Sequence, residues 1–324
     1  MMQPCSILAG CGGYLPERIV TNDELSRTVD TSDEWIHART GIRQRHFAAA
    51  HETTAFMGTA AARVALADAG ATAADVDAII LATSTPDQAF PATALRVQAA
   101  LGVKQGFGFD LSAACSGFIY ALSIADSLIR AGQVRGVLVI GSEVYSRILN
   151  WQDRGTCVLF GDGAGAVFLR ARQPGDPEQR GVLSTHIHAE GTLGDILYVD
   201  GSVGQPDKPG HLVMQGREVF RHAVTLLAEA VEEALAANGM THADIDWLVP
   251  HQANRRIIDA MGKKLRLPPE RVVVTVDRHA NTSAASVPLA LAEARADGRI
   301  KPGDLVLLEA LGGGLTWGSA LVRL

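Results

Sequence analysis

Short uninterrupted apolar runs alternate along this chain with longer stretches in which apolar residues return every third or fourth position. "AIILAT" (78–83) and "GVLVIG" (136–141) are of the first kind, bounded by turn residues, and predict buried strands. "TTAFMGTAAARVALADAG" (53–70) is of the second kind and closes on Gly70, which suits the left-handed position after a helix. "GREVFRHAVTLLAEAVEEALAANG" (216–239) has the same design and closes on Asn238 and Gly239. Strands alternating with helices of this length predict parallel βαβ units and an α/β fold.

The pattern occurs twice. "ADVDAIILAT" (74–83) returns as "ADIDWLVPHQ" (243–252), with Asp75 and Asp244 169 positions apart. "ALSIADSLIRAGQVRGVLVIG" (121–141) returns as "PLALAEARADGRIKPGDLVLLEA" (288–310), with Gly132 and Gly298 166 positions apart. Two copies of one unit predict two sheets packed through shared helices. The seam falls in "ARQPGDPEQRG" (171–181), dividing the chain into halves 1–174 and 175–324. The 166-residue spacing maps Cys115 onto Asn281. A pseudo-twofold between the halves would then bring these two corners to one site.

Hydrophobic residues make up 47% and charged residues 20% of the 324 positions, enough apolar content for a large core. Only 5% is aromatic, whereas glycine alone supplies 33 residues, so helices and sheets can approach closely. The net charge of −6 comes with no polybasic tract, which leaves nucleic-acid binding without its electrostatic footprint. No segment has the ~18 consecutive apolar residues of a membrane span. "MMQPCSILAGCGGYLPERIV" lacks a basic n-region and a signal-length apolar run, so a cytoplasmic protein is expected. Cys5, Cys11, Cys115 and Cys157 have no metal-type spacing, and free thiols in a reducing compartment are expected.

Cys115 stands in "DLSAACSGFIY" (110–120), between a strand and a helix. A helix N-terminus favours a thiolate, and the small neighbours leave room for a carbonyl. Unpaired cysteines are also among the most buried residues, so these local features leave both nucleophile and packing residue open. Cys5, Cys11 and Cys157 lie in apolar strand-like segments and read as structural. His251, in "WLVPHQANRRII", follows an apolar strand at the edge where ligands bind open α/β sheets. His186 and His188 alternate along a strand as a solvated face, and His279 lies two residues from Asn281 without an assigned role. "GDGAGA" (161–166) leads into a strand and cannot be a dinucleotide fingerprint, which must open a helix. "LGGGLTWGSA" (311–320) reads as a hairpin turn or as a loop aiming N–H groups into a cavity.

Six stretches, "SDEWIHARTGIRQRH", "DLSAACSGF", "DRGTCVLFGDGAGA", "VPHQANRRII", "RHANTSAASVP" and "GGGLTWGSALV", resemble in order the thiolase-like condensing enzymes. Among these the chain is most similar to the β-ketoacyl-acyl-carrier-protein synthase III group, from near residue 32 to the C-terminus. The resemblance implies a five-layered αβαβα thiolase-like fold, a homodimer, and initiation of type II fatty-acid synthesis. An acyl-CoA, in the group's usual reaction acetyl-CoA, would acylate Cys115. Decarboxylative condensation with malonyl-acyl-carrier-protein would then give a 3-ketoacyl product and CO₂. His251 and Asn281 would stabilise the enolate, and the N–H groups of Cys115 and Gly313 would form the oxyanion hole. The match also implies a CoA site at Trp35, Arg39, Arg154 and Asn254, with adenine between Trp35 and Arg154. Carrier docking would fall to Arg221, Arg256, Lys263 and Lys264, with Arg255 an added charge, and the acyl pocket to Tyr145, Leu311 and, across the dimer, Phe90. Leu311 replaces an expected aromatic and Tyr145 a common leucine, so the pocket shape departs from the group. No metal or other cofactor is expected, CoA thioester being a substrate, and neither nucleic acid nor membrane is an expected partner.

Two other functions use related residues. A thiolase-like acyltransferase or secondary-metabolite condensing enzyme would share the cysteine, and transfer to an oxygen or nitrogen nucleophile without CO₂ release would identify the former. A non-catalytic partner subunit would lack the nucleophile, which the Cys–His–Asn set argues against.

Overall fold

The computed structural model describes residues 6–324, so Cys5 lies outside the described residues. In the first half β1 (Ser6–Tyr14), helix α1 (Asp33–Thr40) and helix α2 (Thr54–Asp68) lead into β2 (Ala78–Ala82). Helix α3 (Thr93–Leu101), β3 (Phe107–Leu111), helix α4 (Gly117–Arg130), β4 (Gly136–Val144) and β5 (Asp162–Ala171) follow. The second half runs β6 (Gly181–Ala189), helix α5 (Gly216–Ala237), β7 (Trp247–Pro250) and helix α6 (Arg255–Lys264). It ends with helix α7 (Ser286–Ala296), β8 (Leu305–Gly312) and β9 (Thr316–Arg323).

The first sheet has the order β1-β5-β4-β2-β3, and the second the matching order β6-β9-β8-β7. A bridge between Leu248 and Val272 lies where the first sheet carries β3. Ala78 opposes Val137 across a parallel pair, and 169 positions later Trp247 opposes Val306 in the same way. Alternation along β4 separates two cores. Val137 and Val139 pack inward with Phe118, Leu122, Val287 and Leu291 of α4 and α7, between the sheets. Leu138 and Ile140 pack outward under Met57, Ala61 and Ala65 of α2. On the far side α5 and α6 cover Leu305, Leu307 and Leu321. The layers are therefore αβαβα, the fold class expected from the resemblance. Small residues permit this spacing: a Cβ on Gly165 would lie 2.6 Å from the Leu289 nitrogen of α7.

The repeat holds at the level of single hydrogen bonds. Thr72 with Asp75 and Thr241 with Asp244 form the same capping box. Gly70 and Gly239 close α2 and α5 with φ of +62° and +63°. The mapping of Cys115 onto Asn281, however, is corrected. Single helical turns at Ala114–Ser116 and Ser283–Ala285 occupy equivalent corners, entered at φ +46° by Ala114 and +49° by Ser283. That register is 169, and it pairs Cys115 with Ala284. The value of 166 arises beyond this corner, because α7 has 11 residues where α4 has 14.

Candidate active site

Cys115 sits in the turn that feeds α4, past the C-terminal end of β3, and His251 follows the C-terminal end of β7. Asn281 precedes the equivalent turn of the second half. All three line one cavity of about 550 Å³, so the convergence holds although the internal alignment that suggested it was three residues off. The β8–β9 hairpin closes the site from below. A Cβ on Gly312 would lie 2.5 Å from the Cys115 nitrogen, so glycine is required for the hairpin to approach this closely. The Thr316 hydroxyl meets the Ala113 carbonyl (3.0 Å) and the Gly313 carbonyl (3.1 Å), tying both strands of the corner together. Gly313 thereby lines the cavity beside Cys115.

The thiol is not held in the open. Cys115 is 5% exposed, and burial, reinforced by the nearby Glu143 carboxylate, pushes its pKa up to about 12 against the lowering effect of a Ser283 hydrogen bond. The resting sulfur is therefore a thiol rather than the thiolate expected from a helix N-terminus, because loss of water outweighs that field. Cys11 and Cys157 are buried as well, each raised to about 11 by desolvation.

The other two side chains are anchored so that each offers a donor. Asn281 accepts the Ser283 N–H on Oδ1 (2.8 Å), which turns its amide NH₂ toward the cavity. His251 Nδ1 lies 2.6 Å from the Ser286 hydroxyl, whose oxygen also accepts the Gln252 N–H (3.3 Å). With that hydroxyl donating to Nδ1, the ring carries its proton on Nε2. Burial lowers the His251 pKa to about 3, so the imidazole is neutral.

The cavity continues outward past Leu159, Met214, Phe220 and Asn254 into a basin of about 800 Å³. Trp35, Arg39, Arg154, Arg217 and Arg256 line this basin, with Asp153 its only acidic side chain among the described residues. The Arg39 and Arg154 guanidinium carbons lie 4.6 and 5.3 Å from the Trp35 ring centroid. Arg154 also meets the Asp30 carboxylate at 3.2 Å. A base between Trp35 and Arg154 needs two stacking gaps, about 7 Å in all, so Arg154 must swing aside for the expected sandwich to form. Asn254 caps α6, accepting the Arg256 N–H at 2.8 Å and donating to the Arg39 carbonyl at 3.4 Å.

Arg221 on α5 pairs with Glu218, and Arg256 lies over the Phe220 ring at 5.4 Å. Lys263 and Lys264 occupy the last turn of α6, and Arg255 is paired with Asp259. Tyr145 and Leu311 line the inner cavity. Phe90 does not line it and is 83% exposed. His186 and His188 share one carboxylate, Glu233 of α5, at 3.1 and 2.6 Å on a partly solvated face. His279 turns away from the site toward Glu293 (3.2 Å) in a separate cleft with Cys11 and Arg295. Among the described residues no cluster of three His, Cys, Asp or Glu is disposed to hold a metal.

Several residues of the site escaped the sequence reading. Gln252 uses all its capacity to fasten the His251 loop, donating to the Pro250 and Val273 carbonyls and accepting from the Thr275 and Val276 N–H groups. Glu143 is fully buried and accepts from the Thr83, Thr85 and Ser283 hydroxyls and the Ser84 N–H. Desolvation raises it to about 7. Glu309 lines the cavity with both carboxylate oxygens buried and unpartnered among the described residues, and desolvation raises it to about 8. The available signal was a lone acid inside each apolar run, "VIGSEVY" and "LVLLEALG".

Family models described as 3-oxoacyl-[acyl-carrier-protein] synthase III and its C-terminal region match residues 109–191 and 235–324. The chain is 73% identical over 318 residues to a β-ketoacyl-[acyl-carrier-protein] synthase III of Acidiphilium cryptum, covering 98% of this chain and 99% of that protein. Its fold matches the crystal structure of 3-oxoacyl-[acyl-carrier-protein] synthase III from Aquifex aeolicus with a TM-score of 0.93, at 48% identity, covering 98% and 100% of the two chains. A priming β-ketosynthase of the R1128 polyketide pathway is similar at 38% identity, with a TM-score of 0.92 over 98% and 96%.

Proposed function

The chain belongs to the β-ketoacyl-[acyl-carrier-protein] synthase III family, and on that premise we propose that Cys115, His251 and Asn281 carry its condensation chemistry. As a member it is an acyltransferase that initiates type II fatty-acid synthesis. Cys115 sulfur attacks the thioester of an acyl-CoA, of which acetyl-CoA is the starter we assign. Negative charge on the carbonyl oxygen is met by the Cys115 and Gly313 N–H groups, and CoA departs. Malonyl-carrier-protein then enters. His251 Nε2–H and the Asn281 amide donate to its thioester oxygen as CO₂ leaves, so the enolate forms against fixed dipoles. The enolate carbon attacks the acyl-cysteine, the C–S bond breaks, and the 3-ketoacyl product leaves on the carrier. Splitting one condensation into two thioester steps is the gain from the covalent intermediate. Both steps are served by side chains and N–H groups, without a metal or redox cofactor.

The observation that carries this reading is the donor arrangement: separate anchors, Ser283 and Ser286, turn an amide and an imidazole N–H into the cavity that holds the thiol. The arginine-lined basin suits the phosphates of CoA, with Trp35 as the adenine platform, and Asn254 beside the pantetheine arm. Arg221, Arg256, Lys263 and Lys264 form a local basic face on an acidic chain, suited to steering an acidic carrier protein. β3 is an edge strand, and Phe90, Leu95 and Phe107 are exposed near it, which supports a homodimer joined along that edge with Phe90 reaching the partner's acyl pocket. Intact-mass spectrometry after incubation with a panel of acyl-CoAs tests the reading. The expected result is one acyl adduct that maps to Cys115 and is discharged by malonyl-carrier-protein with release of CO₂. An adduct that persists in Cys115→Ala, or discharge without CO₂, overturns it.

A further inference from the structure

Alternation along β8 turns Leu305, Leu307, Glu309 and Leu311 to one face, under α5 and α6. The three leucines pack there. The carboxyl between them is wholly buried, with no hydrogen-bond partner on either oxygen among the described residues. It lines the active-site cavity together with Ala223 and Leu227 of α5 and Met261 of α6. Strand pairing sets it beside His251: Pro250 opposes Glu309 across the parallel β7–β8 pair, and the His251 N–H donates to the Glu309 carbonyl at 2.8 Å. Among the described residues no charge faces this carboxyl. The side chains toward it from α5 and α6 are apolar, β7 carries no charged residue, and β9 has none before Arg323 at its end. The buried titratable side chains that share the cavity, Cys115, Tyr145 and His251, are all uncharged at neutral pH. Burial without a counter-charge therefore keeps Glu309 protonated, as an O–H donor, up to about pH 8.

The second substrate supplies the complement. With its thioester oxygen on His251 and Asn281, a malonyl group carries its carboxylate carbon two C–C bonds of about 1.5 Å from the thioester carbon. The carboxylate therefore comes to rest in the inner cavity. Of the buried polar side chains there, His251 and Asn281 are taken by the thioester oxygen, Cys115 carries the acyl group, and Tyr145 is bonded to Ser283 at 3.0 Å. Among the described residues Glu309 is the one left free. We propose that the Glu309 carboxyl donates its O–H to the malonyl carboxylate and so seats the second substrate beside His251. This rests on the assignment of malonyl-carrier-protein to the site through His251 and Asn281. Such a bond is charge-assisted, and a carboxylate, unlike an amide N–H, calls for the protonated acid as its partner. The walls around it, Leu227, Met261 and Leu311, suit the product as well. As the C–C bond breaks, its electron pair moves to the thioester oxygen through the enolate, CO₂ leaves uncharged, and Glu309 keeps its proton. The contact fades as the charge moves away. It therefore tightens binding of the malonyl group rather than lowering the barrier from the bound state.

The test compares Glu309→Gln, which keeps a donor and never ionises, with Glu309→Leu, which has no donor. KM and kcat for malonyl-carrier-protein, and KM for acetyl-CoA in acylation of Cys115, are measured from about pH 6.5 to 9.5, well below the melting temperature of each protein. In the unmodified enzyme an ionised Glu309 loses its donor and repels the malonyl carboxylate. Its KM for malonyl-carrier-protein should therefore climb toward tenfold per pH unit above about 8, while KM for acetyl-CoA does not follow. Glu309→Gln should lack this alkaline climb. Glu309→Leu at pH 7 should have a KM for malonyl-carrier-protein about tenfold or more above that of Glu309→Gln, with a much smaller difference in kcat. An alkaline climb that persists in Glu309→Gln overturns the proposal. So does a rise in Glu309→Leu shared equally by both substrates, which would put Glu309 on the pantetheine arm they have in common. If Glu309→Leu does not fold, the pH profile of Glu309→Gln decides alone. Failure of the unmodified enzyme to release CO₂ from malonyl-carrier-protein would instead overturn the functional assignment itself.

Discussion

Gly312→Ala should cost activity far out of proportion to its effect on stability. The added Cβ would lie 2.5 Å from the Cys115 nitrogen and 3.0 Å from both the Ala113 oxygen and the Ser116 nitrogen. All three are backbone atoms, so no side-chain rotation relieves the contact. Ordinary contact begins at 3.4 Å, and the end of β8 must therefore retreat from the Cys115 turn by about 0.9 Å. That movement carries the Gly313 N–H away from the proposed oxyanion position, and a displacement near 1 Å is worth roughly 10²-fold in rate. Overpacking of this kind costs about 1–3 kcal/mol. Unfolding entropy near 2.1 cal/mol/K per residue then translates to a Tm loss of about 2–4 °C for a chain of this length. Gly132→Ala is the control. Its φ of +70° strains an alanine, but no atom lies within 4 Å of the new Cβ, so a comparable Tm loss should leave kcat unchanged. Steady-state condensation and single-turnover acylation, with Tm by calorimetry, read both variants. A folded Gly312→Ala enzyme within threefold of the unmodified rate refutes the claim that this close approach shapes the oxyanion site.

Four further outcomes are expected. Asn281→Ala should lower CO₂ release from malonyl-carrier-protein about 10²–10³-fold while acylation of Cys115, followed by mass, stays within a few-fold. Glu309 is protonated in the folded state up to about pH 8 but only to its ordinary value near 4.5 when unfolded. Its contribution is therefore complete below 4.5 and lost as pH rises through 8, so Glu309→Gln should melt progressively higher than the unmodified enzyme across that window; parallel Tm curves would contradict this. Trp35→Ala should raise KM for acyl-CoA about tenfold with little change in kcat or in KM for the carrier, whose arm lacks adenine. Lys263→Glu with Lys264→Glu should raise KM for malonyl-carrier-protein and flatten its salt dependence, leaving KM for acyl-CoA unchanged.

Much of this architecture is written locally. The capping boxes at Thr72 and Thr241, the left-handed glycines at 70 and 239, and the apolar runs of β2, β4 and β8 each depend on residues within a few positions of one another. Such short-range preferences are visible without coordinates, as is the repeat that copies them 169 positions on. Tertiary structure decided what depends on distance across the chain. It paired Cys115 with Ala284 rather than Asn281, because a helix shortened by three residues shifts the register only beyond the corner. It turned an expected thiolate into a buried thiol, since desolvation depends on every element packed around the sulfur. It also placed Glu143 behind Ser283 and left Glu309 unpartnered. A carboxyl in an apolar strand shows in the sequence as an anomaly. Only the packing of the other half of the chain determines whether hydroxyls come to meet it.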